Sequence, residues 1–191
     1  MLETTGIILK KELLIVFGII LWGIYFVLKL IKNNGNINKK LLFDCIFKLA
    51  LIIYLTLLIG VTLFPIRLPR INMNINPVIN MNMLEIFNYG FNKYAILNIV
   101  GNLVLLAPLS TLLYLNNFNK FLNVWSVAII SFIISLSIES LQYLEAYFKF
   151  VYVPRATDIL DLILNTLGGL LGYFIFRLYQ KSSNHNNILK S

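Results

Sequence analysis

The stretch ESLQYLEAYFKFVYVPRATDILDLILNTLGG, residues 139–169, sets Glu139, Gln142, Arg155, Asp158 and Asp161 within or beside two very apolar segments. The whole chain of 191 residues is 59% hydrophobic and 13% charged. An ordinary soluble domain has about 45–50% apolar and about 25% charged residues. The composition therefore predicts a membrane protein, in which charged groups inside apolar segments require a specific reason.

Apolar runs on both sides of this stretch are long enough to cross a bilayer. A helix that spans about 30 Å of hydrocarbon needs roughly 20 residues. We predict an all-α integral membrane bundle with about five transmembrane helices, at residues 13–31, 41–63, 95–115, 122–144 and 158–179. The predicted organisation is an N-terminal transmembrane helix with a basic loop (1–40), a main transmembrane domain (41–180) and a polar tail (181–191).

The formal net charge of +8 comes from residues at the ends of apolar runs and in short loops. This distribution is typical of topology signals and lipid-headgroup contacts, so no nucleic-acid partner is predicted. With five spans, eight Lys and Arg residues share a face with the C-terminus, and seven lie on the other face. Assigning Arg67 and Arg155 to a site reduces those seven to five. The positive-inside rule then predicts an external N-terminus and a cytoplasmic C-terminus.

Polar residues inside the last three spans recur at helical spacing. Residues three or four apart share a helix face, and such sets are Asn98 and Asn102; Ser131, Ser135, Glu139 and Gln142; and Asp158, Asp161 and Asn165. Chain parity brings the polar ends of these spans, with Arg67 and Arg155, to the same membrane face. Ionisable residues in membrane helices normally face the protein interior or a wet cavity. We therefore predict a polar pocket at one leaflet.

The residue types suggest what this pocket does, and two readings stay open. In the functional reading, Glu139 and Asp161 are acid/base candidates, and Arg155 and Arg67 hold phosphate through bidentate hydrogen bonds. Neither a histidine-supported nucleophile nor a recognised metal motif is present, and no cofactor is assigned. In the structural reading, Asp158 caps the last helix, Arg155 pairs with Glu139, and the amides bond across helices.

Four motifs at these residues resemble the VanZ-like family of multi-pass bacterial membrane proteins, which is named for a protein associated with teicoplanin resistance. They are TLFP (62–65), NIVGNLVLLAPLS (98–110), SIESLQYL (137–144) and RATDILDLILNTLGGLLGY (155–173). The resemblance covers about residues 50–175 and makes 41–180 a VanZ-like domain. Its pattern points to Asn98, Gly101, Asn102, Pro108, Glu139, Gln142, Arg155, Asp158, Asp161, Asn165 and Gly168. One departure is Ser110, where glycine is expected.

The resemblance implies a cell-membrane protein that influences sensitivity to lipoglycopeptide antibiotics of the teicoplanin type. It would do so by binding or altering a cell-envelope lipid or the drug itself. One alternative is a membrane-embedded enzyme that acts on a phosphorylated or lipid-linked envelope substrate. Another is a structural or partner membrane protein. The expected partners are membrane lipids or a lipid-linked envelope molecule, with the lipoglycopeptide as a further candidate.

Overall fold

The computed structural model describes residues 7–68, 76–82, 93–118, 122–151 and 156–188. Within these ranges, five helices are long and apolar enough to cross a membrane: Glu12–Lys32, Lys39–Leu63, Lys93–Phe118, Val124–Tyr147 and Ile159–Ser183. The predicted all-α fold with five transmembrane helices is confirmed, and the chain is a multi-pass membrane protein. It forms two compact units, unit 1 (Met1–Ile79 and Ser140–Thr157) and unit 2 (Asn80–Glu139 and Asp158–Ser191).

Six helices and four short strands make up the described secondary structure. The helices are α1 (Glu12–Lys32), α2 (Lys39–Leu63), α3 (Lys93–Leu105), α4 (Ala107–Leu113), α5 (Val124–Tyr147) and α6 (Ile159–Ile188). The strands are β1 (Ile7–Leu9), β2 (Ile66–Leu68), β3 (Ile79–Asn80) and β4 (Thr157–Asp158). A wide helical turn, Tyr114–Phe118, follows α4. Helix α6 continues through most of the segment that the sequence predicts as a polar tail.

In unit 1, α1 and α2 form an antiparallel hairpin. Its turn contains Asn34 and Gly35, both with positive φ (51° and 76°), which suits asparagine and glycine. Asn38 then caps α2, because its side-chain oxygen accepts a hydrogen bond from the backbone N–H of Leu41 at 2.8 Å. Gly18 is buried against Thr56, and a Cβ atom added there would lie 2.7 Å from the Thr56 methyl carbon. The two helices therefore pack closely at Gly18.

The ends of this hairpin are joined by a small antiparallel sheet. Strand β1 pairs with β2 in the register Ile7 with Leu68, Ile8 with Arg67 and Leu9 with Ile66. No strand is predicted here from the sequence. The pairing arises because an antiparallel hairpin brings the residues before α1 beside those after α2, and β-branched isoleucines suit an extended backbone.

In unit 2, the third transmembrane segment is broken between α3 and α4. Leu106 separates the two helices, and Pro108 lies in the first turn of α4. Proline has no N–H to donate to the preceding turn, and its ring clashes with that turn, so a helix breaks just before it. The sequence predicts one continuous span, and the structure divides it at this proline.

Three glycines of α6 bring its backbone against the neighbouring helices of unit 2. A Cβ atom at Gly168 would overlap the carbonyl oxygen of Leu103, and one at Gly172 would overlap that of Ala107. On an adjacent face, a Cβ atom at Gly169 would overlap the Ser131 hydroxyl. Small residues allow such close approach between membrane helices. We call Gly168 and Gly172, which are one turn apart, the glycine seam.

Candidate functional site

Unit 2 brings together most of the predicted polar residues. Glu139 lies in the second half of α5, Asp158 directly precedes α6, and Asp161 lies in the first turn of α6. Helix α3 supplies Asn98 and Asn102. Direct hydrogen bonds divide them into two groups, one around Asp158 and one around Asp161. We call these five residues, with Asn80, the carboxylate cluster.

The first group fixes the start of α6. Glu139 is 4% exposed, and its carboxylate accepts a hydrogen bond from the backbone N–H of Asp158 at 3.0 Å. The Asp158 carboxylate in turn accepts from the backbone N–H of Leu160 at 2.8 Å. A carboxylate in this position satisfies one of the free amide groups at a helix start and interacts favourably with the helix dipole. The hypothesis that Asp158 caps this helix is therefore confirmed.

The second group holds one carboxylate through two amides. Asp161 Oδ1 accepts from Asn102 Nδ2 at 2.6 Å and from Asn98 Nδ2 at 3.3 Å. Asn102 Nδ2 also donates to Asn98 Oδ1 at 3.0 Å. The spacing of four residues on α3 places both amides on the side facing α6. Within the described ranges, Asp161 accepts hydrogen bonds through Oδ1 only, so Oδ2 is the available oxygen of a half-buried carboxylate.

One helical turn after Asp161 on α6, and one turn before Glu139 on α5, the interior of unit 2 contains buried polar side chains. Asn165 is 1% exposed and donates its amide to the Ser135 hydroxyl at 3.0 Å. Neither Asn165 Oδ1 nor the Ser131 hydroxyl has a hydrogen-bond partner in the described part of the chain. Ser131 and Ser135 are fully buried, one turn apart on α5. Asn165 therefore belongs to the interface between α5 and α6, next to the carboxylate cluster.

One member of the cluster, Asn80, is not predicted from the sequence. Its side-chain amide donates to Asp158 Oδ2 at 3.1 Å, across 78 positions of the chain. The residue lies in the asparagine-rich segment INMNINPVINMN (71–82), where nothing distinguishes one asparagine from another. Local sequence therefore carries no signal for this contact.

Of three further predicted site residues, one lies elsewhere in the described structure, and the side chains of the other two are outside the described residues. Gln142 belongs to unit 1, where it is buried and donates its amide to the backbone carbonyl of Thr62 at 2.9 Å. Arg155 lies outside the described residues. Arg67 has its backbone in β2, while its side chain lies outside the described part.

Chemically, the cluster contains three carboxylates, which accept hydrogen bonds. Among the described residues, no group of three His, Cys, Asp or Glu side chains is placed to hold a metal ion. Glu139 and Asp158 each accept a hydrogen bond from a backbone amide, whereas Asp161 accepts from side chains and retains one oxygen. Asp161 is thus the carboxylate best placed to meet a donor from outside the protein.

Comparisons with known proteins give one match. The sequence model of the VanZ/LLP1 family matches residues 51–180. The match covers the carboxylate cluster and the glycine seam, and it begins in the middle of α2. No curated protein and no solved structure matches the chain.

Proposed function

Because the chain belongs to the VanZ/LLP1 family, we propose that it binds a cell-envelope lipid, a lipid-linked envelope molecule or a lipoglycopeptide through the carboxylate cluster. Binding at this site lowers sensitivity to teicoplanin-type antibiotics. In this proposal the ligand offers a hydroxyl or ammonium group to Asp161, while its apolar part stays in the bilayer. From the sequence alone, Arg155 and Arg67 are the phosphate-binding candidates, since a guanidinium group engages phosphate with paired hydrogen bonds.

The single observation that carries this proposal is the state of Asp161. Two asparagines fix its Oδ1, so the carboxylate is oriented before any ligand arrives. Oδ2 accepts no hydrogen bond from the described residues, and the side chain is half-buried. A hydrogen bond to a charged acceptor contributes about 1.5–3 kcal/mol of net stabilisation, after the hydrogen bonds to water that it replaces are taken into account. A donor on a headgroup gains such a bond without reorganising the protein.

The first prediction compares two carboxylates of the cluster. In a teicoplanin-susceptible Gram-positive host, expression of the protein should raise the inhibitory concentration of teicoplanin. Asp161→Asn should remove most of that increase, because an amide presents a donor where the ligand needs a charged acceptor. Glu139→Gln should retain it, because the amide oxygen still accepts the Asp158 N–H. The measurement is the inhibitory concentration at equal protein level in the membrane.

Glu12→Gln is the matched control, since Glu12 is an exposed carboxylate at the start of α1. An Asp161→Asn variant that protects as well as the wild type would contradict the proposal.

Lipid profiles of the same strains separate binding from catalysis. A lipid species that changes with wild type and not with Asp161→Asn would favour the membrane-embedded enzyme, with Asp161 as its general base.

The second prediction concerns orientation. We propose that the N-terminus is outside the cell and the C-terminus is cytoplasmic, from the distribution of lysines and arginines. An epitope tag at the C-terminus should then be protected from protease in intact cells and cleaved after permeabilisation. A tag before residue 7 should be cleaved in intact cells. The opposite pattern would reverse the assignment and place the carboxylate cluster at the cytoplasmic leaflet.

A further inference from the structure

A second charged cluster lies in unit 1, between α1 and α2, outside the residues that match the family. The Lys29 ammonium forms an ion pair with Asp44 Oδ2 at 2.8 Å. The Tyr25 hydroxyl donates to the same oxygen at 2.7 Å. The Lys29 and Lys48 ammonium groups lie 5.7 and 5.6 Å from the centre of the Tyr25 ring. We call these four residues the hairpin cluster.

The end of the hairpin that contains this cluster carries more positive than negative charge. Asp44 is the only acidic residue between positions 13 and 84, whereas Lys29, Lys32, Lys39, Lys40 and Lys48 all lie between positions 29 and 48. Five lysines against one aspartate leave a net charge of +4 at this end of the hairpin. Lys32, Lys39 and Lys40 are exposed at the helix ends.

One of these lysines, Lys48, lies inside the membrane-spanning part of α2. Lys48 lies nine residues after the first residue of α2, which is about 13 Å along the axis at 1.5 Å per residue. Long lysine side chains in such positions reach toward the headgroup region. The surrounding surface is apolar, since Leu28, Ile31 and Phe43 are 60%, 67% and 57% exposed. Positive charge therefore borders a surface suited to acyl chains.

We propose that this end of the α1–α2 hairpin binds the headgroup of an anionic phospholipid. The lysines at the helix ends contact the phosphate, and the exposed apolar residues beside them contact the acyl chains. Clusters of four or more basic residues next to a transmembrane helix attract anionic lipids. The ion pair with Asp44 fixes Lys29, so the cluster is ordered before lipid binds. This site uses other residues than the carboxylate cluster and does not depend on the proposed function.

The test measures lipid retention by the purified full-length protein in a non-ionic detergent. Native mass spectrometry with phosphatidylglycerol, and with phosphatidylcholine of the same acyl chains, gives an apparent Kd for each. Wild type should prefer phosphatidylglycerol. Removing one lysine near the headgroups should weaken that binding about fivefold, so Lys39→Gln/Lys40→Gln should weaken it by more than about tenfold. Lys39→Arg/Lys40→Arg should bind like the wild type.

The chain offers a matched control in Lys10 and Lys11, an adjacent lysine pair just before α1, as Lys39 and Lys40 form one at the start of α2. Lys10→Gln/Lys11→Gln should leave phosphatidylglycerol binding within about twofold. The proposal is overturned if both double variants weaken binding equally, if Lys39→Gln/Lys40→Gln has no effect, or if the two lipids bind alike. Because binding is measured in detergent, the surface charge of the host membrane does not enter the result.

Discussion

Gly168→Ala and Gly172→Ala are expected to destabilise the protein more than any other single-methyl change in the described part of unit 2. Each added Cβ would overlap a backbone carbonyl oxygen, of Leu103 or Ala107, and a backbone atom cannot move aside as a flexible side chain can. Overpacking of this kind costs about 1–3 kcal/mol per site. For a chain of this size, the apparent Tm falls by roughly 2–4 °C for each kcal/mol. The measurement is thermal unfolding in detergent.

Gly101→Ala provides the control in the same unit. A Cβ atom at Gly101 meets nothing within 4 Å, and the residue is exposed on α3. Alanine favours a helix over glycine by about 1 kcal/mol, so this variant should be as stable as the wild type or more stable. Equal losses for Gly101→Ala and Gly168→Ala would show that the glycine seam does not set the distance between the helices.

The second large effect concerns the hydrogen bonds that hold Asp161. Asn102→Leu should lower the free energy of unfolding by about 2–3 kcal/mol, because it removes a donor and leaves a half-buried carboxylate poorly satisfied. The double variant Asn102→Leu/Asp161→Leu should recover at least half of that loss, since it removes the charge that needs the donor. Thermal or denaturant unfolding of the wild type, both single variants and the double variant gives the coupling energy.

Asn98→Leu is the control for this cycle. Asn98 is exposed and donates to the same oxygen at 3.3 Å, compared with 2.6 Å for Asn102. Its removal should cost less than 1 kcal/mol, because water can replace an exposed donor. Strictly additive losses for Asn102→Leu and Asp161→Leu would mean that their hydrogen bond contributes nothing to stability.

The spans and much of the carboxylate cluster follow from the sequence for simple physical reasons. Apolar runs of about 20 residues leave few alternatives to a membrane helix. Spacings of three or four then place Asn98 with Asn102, and Asp158 with Asp161, on shared helix faces. The structure adds contacts that distinguish the carboxylates. Asp161 meets the asparagines, while Glu139 meets a backbone amide, which separates two carboxylates that the sequence treats as equivalent acid/base candidates.

Other features depend on contacts between distant parts of the chain, and local patterns do not encode them. Asn80 reaches Asp158 from an asparagine-rich segment without a distinctive spacing. Strands β1 and β2 exist because the hairpin joins its own ends. Gln142 has the helical spacing of a site residue, yet its partner is the Thr62 carbonyl in unit 1. Helical periodicity identifies a face and leaves open what that face contacts.

The ion pair between Lys29 and Asp44 also bears on how the protein is made. An aspartate in a membrane helix costs about 2.5–3.5 kcal/mol to insert at the helix centre and less toward the ends, and Asp44 lies between these positions, five residues after the first residue of α2. Helix α1 leaves the ribosome before α2, so Lys29 and Tyr25 are already present when Asp44 is synthesised. The first two helices therefore carry the groups that compensate Asp44, and its transfer from translocon to lipid needs no side chain from the later helices.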